Sequence, residues 1–275
     1  MNDASIEELV AAALREDVGS GDRTTERTVP EKARASGILL AKQDLVVAGL
    51  PVARAVFHAL DPKVAWEDAV PDGTSVGTGA SLVRVTGSAR ALLTAERVAL
   101  NFLQRLSGVA TLTRQFVDEV EGTRARIRDT RKTTPLLRRL EKQAVLAGGG
   151  SPHRFGLDSA VLVKDNHIRI AGSVLEATLR AKGAGLPVEV EVERKEQIAE
   201  ALEGGCTMIL LDNFPPDAVA EAVRLVGGRV PVEVSGGIRL ATVRQYAEAG
   251  PDFIAVGALT HSAPAADISL EIDAL

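Results

Sequence analysis

The stretch that decides the fold is Met208-Ile209-Leu210-Leu211, an apolar run that ends in Asp212-Asn213. Runs of this kind recur at roughly 20- to 30-residue intervals, and helix-like segments separate them. Alternating β and α segments build a parallel sheet or a barrel, so the pattern predicts an α/β protein with a C-terminal, TIM-like (β/α) barrel, complete or incomplete. The apolar runs are residues 126–128, 160–163, 188–192, 208–211, 230–234 and 253–256.

Each apolar run ends in residues that can bind a ligand. The C-terminal ends of all strands in a barrel open on one face, so these residues would converge on one site. The two latest ends are rich in small residues, which let backbone N–H groups approach a phosphate closely. The ends are Asp129-Thr130-Arg131-Lys132, Lys164-Asp165-Asn166, Glu193, Asp212-Asn213, Ser235-Gly236-Gly237 and Gly257-Ala258.

The region before the barrel mixes short β-prone segments with helices and predicts an α+β sandwich domain. Residues 89–120 have helical spacing, and we expect Ser107-Gly108 to join two helices there. Ile268, Leu270 and Ile272 alternate with polar residues, which predicts a half-buried strand that returns to the first domain's sheet. The predicted domains are residues 1–108 with 266–275, and residues 109–265.

Composition narrows the class of protein. The chain has 275 residues, a formal net charge of -5 and an isoelectric point near 5.5, which argues against a general nucleic-acid surface. No apolar run is long enough to span a bilayer. Cys206 is the only cysteine, so no disulfide framework is indicated and a reducing cytoplasm is expected.

Cations are concentrated in one segment of this acidic chain. Residues 124–169 hold eleven Lys or Arg against four Asp or Glu. Guanidinium groups bind carboxylates and phosphates in bidentate pairs, and Lys supplies a mobile point charge. The candidate anion ligands are Arg131, Lys132, His153, Arg154 and Lys164.

Two acidic strand ends suggest a metal. Glu193 and Asp212 are hard oxygen ligands of the kind that Mg²⁺ shares with substrate phosphates. Glu193 has a structural alternative, because Glu189, Glu191 and Glu193 alternate along one strand and could form an internal ion pair. Lys164 also has a structural alternative, a salt bridge with Asp165 or Asp212 and no role in binding a ligand. The site is expected to bind a polyanion with a divalent metal.

Together these motifs resemble those of the quinolinate phosphoribosyltransferase family. The resemblance covers nearly the whole chain. Pro152 stands where the family more often has Asn, and Leu137 where it often has Gly, so these departures concern loop conformation. The motifs are Glu16-Asp17-Val18-Gly19-Ser20-Gly21-Asp22, Glu96-Arg97, Asp129 to Thr133, Gly148 to Arg154, Leu162 to His167, Leu211-Asp212-Asn213, Val234 to Ile238 and Val256 to His261.

The resemblance implies transfer of the phosphoribosyl group of phosphoribosyl pyrophosphate to quinolinate with decarboxylation, giving nicotinate mononucleotide, pyrophosphate and CO₂. It implies Mg²⁺ as cofactor, bound directly or indirectly by Glu193 and Asp212, and a homodimer or higher oligomer with shared sites. Arg97, which by itself would be interpreted as a solvated surface residue, would reach in from the partner subunit. Catalytic roles would fall to Lys132, Lys164, Glu193 and Asp212. The implied substrate ligands are Arg97, Thr130, Arg131, Lys132, His153, Arg154, Lys164, Glu193, Asp212, Ser235, Gly236, Gly237, Val256, Gly257 and Ala258.

Three other functions fit parts of the pattern. A related phosphoribosyltransferase could act on another pyridine carboxylate. Lys164 at a strand end could form a Schiff base, as in a barrel lyase. A non-catalytic sugar-phosphate sensor would keep the glycine turns without needing Glu193 and Asp212.

Overall fold

The computed structural model describes residues 3–275, which form two compact units. The first holds the described part of Met1–Leu112, with Pro135–Gly149 and Ala263–Leu275; the second holds Thr113–Thr134 and Gly150–Ser262. The sequence placed residues 135–149 in the barrel, whereas the structure groups them with the first unit. No helix in the described chain is long and apolar enough to cross a membrane.

The elements alternate along the chain in the order that the apolar runs indicate. The first part comprises α1 (Asp3–Val18), α2 (Arg23–Thr28), β1 (Arg34–Ala41), β2 (Leu45–Val46), α3 (Leu50–Leu60), β3 (Ala65–Glu67), β4 (Ser75–Val76), β5 (Ser81–Ser88) and α4 (Ala89–Glu119). The remainder comprises β6 (Arg126–Arg128), α5 (Arg138–Ala147), β7 (Val161–Val163), α6 (Asp165–Ala171), α7 (Val174–Lys182), β8 (Val188–Val192), α8 (Glu196–Glu203), β9 (Met208–Asp212), α9 (Pro216–Val226), β10 (Val232–Ser235), α10 (Leu240–Glu248), β11 (Phe253–Ala255), α11 (Ala258–His261) and β12 (Ile268–Ala274).

The first unit contains a four-stranded antiparallel sheet in the order β12-β1-β5-β3. Alternate residues of β1 are buried, as expected where one face of a sheet packs on a core. Strand β12 pairs with β1 from Ala35 opposite Ala274 to Ala41 opposite Ile268. The predicted return of this segment to the first sheet is therefore confirmed.

The predicted break at Ser107-Gly108 is wrong, because α4 is one continuous helix of 31 residues. Ser107 is fully buried and its hydroxyl hydrogen-bonds with the backbone N–H and carbonyl of Ala48. A Cβ on Gly108 would lie 2.0 Å from the carbonyl oxygen of Pro264. Glycine is thus required here by close packing, not by a turn.

The second unit is built on a six-stranded parallel sheet in the order β6-β11-β10-β9-β8-β7, with helices between the strands. Strands β6 and β7 stand at the two ends of this order, and Ser151 forms an isolated parallel bridge with Arg128 at the β6 end. All five residues of β8 are buried. The predicted α/β class is confirmed, and the barrel is the incomplete form with six strands.

A left-handed leucine offers a test of backbone strain. Leu136 has φ 66° and is 83% exposed, so its side chain contributes little burial. A non-glycine residue in this conformation costs roughly 1–2 kcal/mol, and glycine loses about 0.5–1 kcal/mol more chain entropy on folding. We expect Leu136→Gly to raise the free energy of unfolding by about 0.5–1 kcal/mol in urea titrations.

Leu137 provides the matched control, since its φ is -92° and its side chain is half-buried. Leu137→Gly should destabilise the protein by about 1 kcal/mol or more, because it gains entropy in the unfolded chain without relieving strain. Equal destabilisation by the two changes would contradict the strain at Leu136.

Candidate active site

A cavity of about 320 Å³ lies at the C-terminal ends of the barrel strands. Residues from all six strands or the segments that follow them contribute to it, as the barrel pattern predicts. Its walls are formed by Thr130, Arg131, Lys132, His153, Arg154, Leu162, Lys164, Glu191, Leu210, Asp212, Glu233, Ser235 and Ala255.

The segment after β6 carries Thr130, Arg131 and Lys132 into this cavity. The hydroxyl of Thr130 accepts the backbone N–H of Lys132 at 3.0 Å. Thr260, which is fully buried, donates its hydroxyl hydrogen to the Lys132 carbonyl at 2.9 Å. The Lys132 backbone is therefore held at both its N–H and its carbonyl. This fixes the point from which the long, charged side chain of Lys132 extends.

Two arginines bring unsatisfied donors to the cavity. Nε of Arg131 and Nε of Arg154 are buried and have no hydrogen-bond partner within the described chain. Nη1 of Arg154 donates to the Ala160 carbonyl at 3.0 Å, which anchors the guanidinium. Burial and the nearby charge of Arg131 lower the pKa of Arg154. Two guanidinium groups that repel each other while their Nε–H groups have no partner in the described chain favour an anionic ligand.

Lys164 follows β7, where its backbone N–H donates to Nδ1 of His167 at 2.9 Å. Its ammonium forms an ion pair with Oε2 of Glu191, whose side chain is 8% exposed. The sequence offered Asp165 and Asp212 as salt-bridge partners for Lys164, and the structure shows Glu191 instead. The ion pair fixes the position of the Lys164 ammonium at the cavity wall.

The predicted acidic residue Glu193 lies outside this cavity. Strand β8 ends at Val192, so Glu193 falls beyond it, is exposed, and lines a shallower groove with Arg194 and Asn213. Its backbone N–H donates to Oε1 of Gln197 at 2.8 Å. Glu191, two residues earlier on the same face of the strand, supplies the cavity carboxylate that the sequence assigned to Glu193.

Asp212 ends β9, as predicted, and lines the cavity. Its Oδ2 accepts a hydrogen bond from Nδ2 of Asn213 at 2.7 Å. Asp212 is half-exposed and pairs with Ser235 in the sheet. Such a carboxylate suits Mg²⁺, which commonly takes one or two protein carboxylates and completes its shell with water and substrate phosphates. Asp212 therefore lies where a metal could share the cavity with a substrate, and Glu193 lies outside that cavity.

His153 is held by buried acidic residues. Its Nε2 lies 3.0 Å from Oε2 of Glu189 and 3.3 Å from Oε1 of Glu233. Burial lowers the pKa of His153, but hydrogen bonds and charge from these two carboxylates reverse that effect and raise the pKa to about 9.

A backbone contact opposes this rise. Nδ1 of His153 accepts the backbone N–H of Arg154 at 2.7 Å, which favours the neutral ring. A hydrogen bond to a charged group contributes roughly 1.5–3 kcal/mol, against about 1 kcal/mol for a neutral one, so the two carboxylates decide the sign. The pKa of His153 is raised, and by less than the carboxylates alone would raise it.

The glycine-rich strand ends sit beside the cavity, which Ser235 and Ala255 line directly. Gly236 and Gly237 have φ of 101° and 62°, and a Cβ on Gly236 would lie 2.2 Å from Oδ1 of Asn213. A Cβ on Gly257 would lie 3.0 Å from Cδ of Lys132 and 3.2 Å from Nε2 of His261. Small residues are thus required by the backbone and by close packing against Lys132. Val256 and Ala258 flank Gly257 and, like the three glycines, do not line the cavity.

The structure brings eight predicted residues into one cavity and adds two acidic residues, beside three apolar ones, that the sequence did not single out as ligands. Arg97 belongs to the first unit, where it is exposed on α4. Glu233 was missed because it precedes the end of β10 and gives no strand-end signal. The predicted residues that line the cavity are Thr130, Arg131, Lys132, His153, Arg154, Lys164, Asp212 and Ser235, and the additions are Glu191 and Glu233.

Comparison with known proteins assigns both parts of the chain. Residues 22–107 match the quinolinate phosphoribosyl transferase N-terminal domain, and residues 109–271 match the C-terminal domain of the same family. The probable nicotinate-nucleotide pyrophosphorylase [carboxylating] of Bacillus subtilis is 40% identical over 99% of this chain and 95% of its own length. The corresponding Mycobacterium leprae protein is 43% identical, with 96% of each chain covered.

Solved structures agree with the sequence comparison. The crystal structure of NadC from Streptococcus pyogenes superposes with a TM-score of 0.96 at 40% identity, and covers 100% of this chain and 99% of its own. These matches cover the sequences of both units, including the motifs that contribute residues to the cavity. The chain belongs to the quinolinate phosphoribosyltransferase family.

Proposed function

We propose that this cavity is where the chain transfers a phosphoribosyl group from phosphoribosyl pyrophosphate to the ring nitrogen of quinolinate, releasing pyrophosphate and CO₂ and forming nicotinate mononucleotide. The observation that carries the proposal is the cavity itself. Cations from three segments of the barrel unit, Arg131, Arg154 and Lys164, line one cavity of about 320 Å³ together with the carboxylates of Glu191 and Asp212. The family's decarboxylating pentosyltransferase activity accounts for both halves of this arrangement.

The cationic half suits quinolinate. Its two adjacent carboxylates need several donors, and the unpaired Nε–H groups of Arg131 and Arg154 can each complete a bidentate pair. Lys164 adds a point charge, and its ion pair with Glu191 fixes the position of that charge. A pyridine with a single carboxylate would leave part of this set unpaired at a desolvation cost, so the site should discriminate against nicotinate.

The opposite half suits phosphoribosyl pyrophosphate. As the C1–pyrophosphate bond breaks, positive charge develops on the ribose and negative charge on the leaving group. Asp212 and Glu191 can stabilise the first, and Lys132 the second. Mg²⁺ held by Asp212 and the substrate would supply further charge neutralisation on the pyrophosphate. We place the 5′-phosphate near Ser235 and Gly257, where small residues leave the backbone open.

The two chemical steps are linked. Transfer of the phosphoribosyl group makes the ring nitrogen cationic. The bond to the neighbouring carboxylate then breaks, CO₂ leaves, and the electron pair that remains on the ring carbon is stabilised by the adjacent positive charge. That carbon then takes up a proton from solvent, which gives nicotinate mononucleotide. The cations around Arg131 and Arg154 hold the ring while this happens.

The Schiff-base alternative for Lys164 has no support in this geometry. A nucleophilic amine must be free to reach the substrate carbonyl, whereas Nζ of Lys164 is engaged by Glu191 in an ion pair. We also propose a homodimer in which Arg97 of one subunit completes the site of the other, and a cytoplasmic location consistent with a single cysteine.

Turnover should require quinolinate, phosphoribosyl pyrophosphate and Mg²⁺ together, because each half of the cavity alone leaves charges unpaired. A discontinuous assay for nicotinate mononucleotide, with quinolinate and nicotinate offered separately, measures this. Equal activity with nicotinate would contradict the dicarboxylate assignment, and full activity in excess chelator would contradict the metal.

A further inference from the structure

A buried charge cluster, formed by Arg128, His153, Glu189 and Glu233, lies between two cavities of the barrel unit. His153 and Glu233 line the substrate cavity. Arg128, His153 and Glu189 line a second cavity of about 290 Å³. The cluster therefore forms part of the wall of the substrate cavity and extends from there to the second cavity.

The acidic members occupy positions where a barrel normally buries apolar side chains. Glu189 pairs with Met208 and Glu233 with Leu210 in the sheet, so both precede the strand ends that form the mouth. Glu233 is 0% exposed and Glu189 is 8% exposed. Buried carboxylates destabilise a fold unless cations or hydrogen bonds compensate them, so their partners decide what the cluster does.

Arg128 compensates one carboxylate. Its Nη1 lies 2.7 Å from Oε2 of Glu233, and its guanidinium stacks 4.0 Å from the ring centroid of Phe253. Glu189 remains, with one buried oxygen that has no hydrogen-bond partner among the residues that the structure describes and the other in contact with His153. Burial raises the pKa of Glu189, and its hydrogen bond with His153 opposes that rise. With Glu189 ionised, a neutral His153 would leave the cluster one negative charge beside an anion site, and a cationic His153 makes it neutral.

Other charges around His153 do not change this balance. Asp129, fully buried at the end of β6, accepts the backbone N–H of His153 at 2.7 Å. Arg131 and Arg154 face the cavity on the same side. These three groups leave a net positive charge toward the ligand, and the uncompensated carboxylate of Glu189 lies behind the imidazole.

We propose that Glu189, assisted by Glu233, is a positioning residue that keeps His153 cationic at the wall of the substrate cavity, so that the imidazolium balances one carboxylate of a pyridine dicarboxylate. The inference rests on the proposed function. In the cationic ring the second proton lies on Nδ1, the atom that in this structure accepts a hydrogen bond from the backbone N–H of Arg154. A substrate carboxylate would accept hydrogens from both groups and replace their mutual contact. Glu189 does not line the substrate cavity and acts only through His153.

Histidine titration in the free protein tests the inference without any substrate. The chain has four histidines, and His153→Asn identifies the signal of His153 in the NMR spectrum of histidine-labelled protein. We expect His153 to titrate above about pH 8 in the wild type and at least about one unit lower in Glu189→Gln, against an ordinary midpoint near 6.5. A wild-type midpoint at or below about 6.5, or no shift in the variant, would overturn the inference.

Quinolinate binding, measured by calorimetry at two pH values, separates the effect of the His153 charge from a structural effect of the substitution. Glu189→Gln should bind quinolinate within about 2-fold of wild type near pH 6, where the imidazole is still protonated, and about 10-fold more weakly near pH 8.5. Glu203→Gln, an isosteric change at an exposed position of α8, should match wild type at both. Equal loss at both pH values, or none at either, would refute the role. If wild-type protein itself fails to bind quinolinate, the proposed function falls, and the histidine titration still decides this inference.

Discussion

Arg97→Ala and Lys164→Ala should each be nearly inactive alone, and joint refolding at equal concentration should restore about a quarter of wild-type activity. The expectation follows from a two-fold dimer in which Arg97 of one subunit completes the partner's site. Contacts across such an axis are reciprocal, so a mixed dimer carries both lesions in one site and neither in the other. Roughly half of the dimers are mixed and half of their sites are intact.

Each control addresses a different failure. Refolding either variant by itself must give no recovery, and a tagged pull-down must show that mixed dimers formed. Arg114→Ala, on the same helix α4 but paired there with Asp118, should stay close to wild type. No recovery in a verified mixture would place Arg97 in the site of its own chain, and full activity of Arg97→Ala alone would remove it from the site.

Replacing Arg131 or Arg154 with Lys should weaken quinolinate binding by roughly 10- to 100-fold, on the order of 1.5–3 kcal/mol. Lys keeps the charge but loses the planar fork and the buried Nε–H group, which in both arginines has no hydrogen-bond partner in the described part of the chain. The loss should be larger for Arg154, since the change also removes its hydrogen bond to the Ala160 carbonyl. Phosphoribosyl pyrophosphate affinity should change much less.

Calorimetry with each substrate separates the two subsites. Arg126→Lys, an exposed position in β6, controls for the exchange of arginine for lysine within the barrel unit and should leave both affinities unchanged. A larger loss for phosphoribosyl pyrophosphate than for quinolinate would mean that the two subsites are exchanged.

The barrel and most of the cavity could be predicted because each depends on local pattern. Apolar runs of strand length with polar ends indicate parallel strands, and the rule that strand ends share one face brings Arg131, Lys164 and Asp212 together. The choice between Glu191 and Glu193 was beyond this reasoning. Both project from the same face of the strand, and only the point where the hydrogen-bonded ladder stops distinguishes the cavity residue from its exposed neighbour.

The charge cluster could not be predicted for a different reason. Strands β8 and β10 are separated by β9, so Glu189 and Glu233 meet His153 only through the curvature of the sheet. The continuity of α4 could not be predicted either. Gly108 suggests a break in the helix, but the structure explains this glycine by its close packing against Pro264, which is far away in sequence. Residues that meet across long sequence distances leave no signal in any window of a single sequence.

The pairing of β12 with β1 imposes an order on biosynthesis. A ribosome that adds about 5–20 residues per second completes β1 early, and on the order of tens of seconds pass before β12 emerges. During that interval β1 has β5 on one side and an open row of N–H and carbonyl groups on the other. An uncovered edge of this kind invites pairing with neighbouring nascent chains. All the strands of the barrel unit are synthesised before that edge is closed.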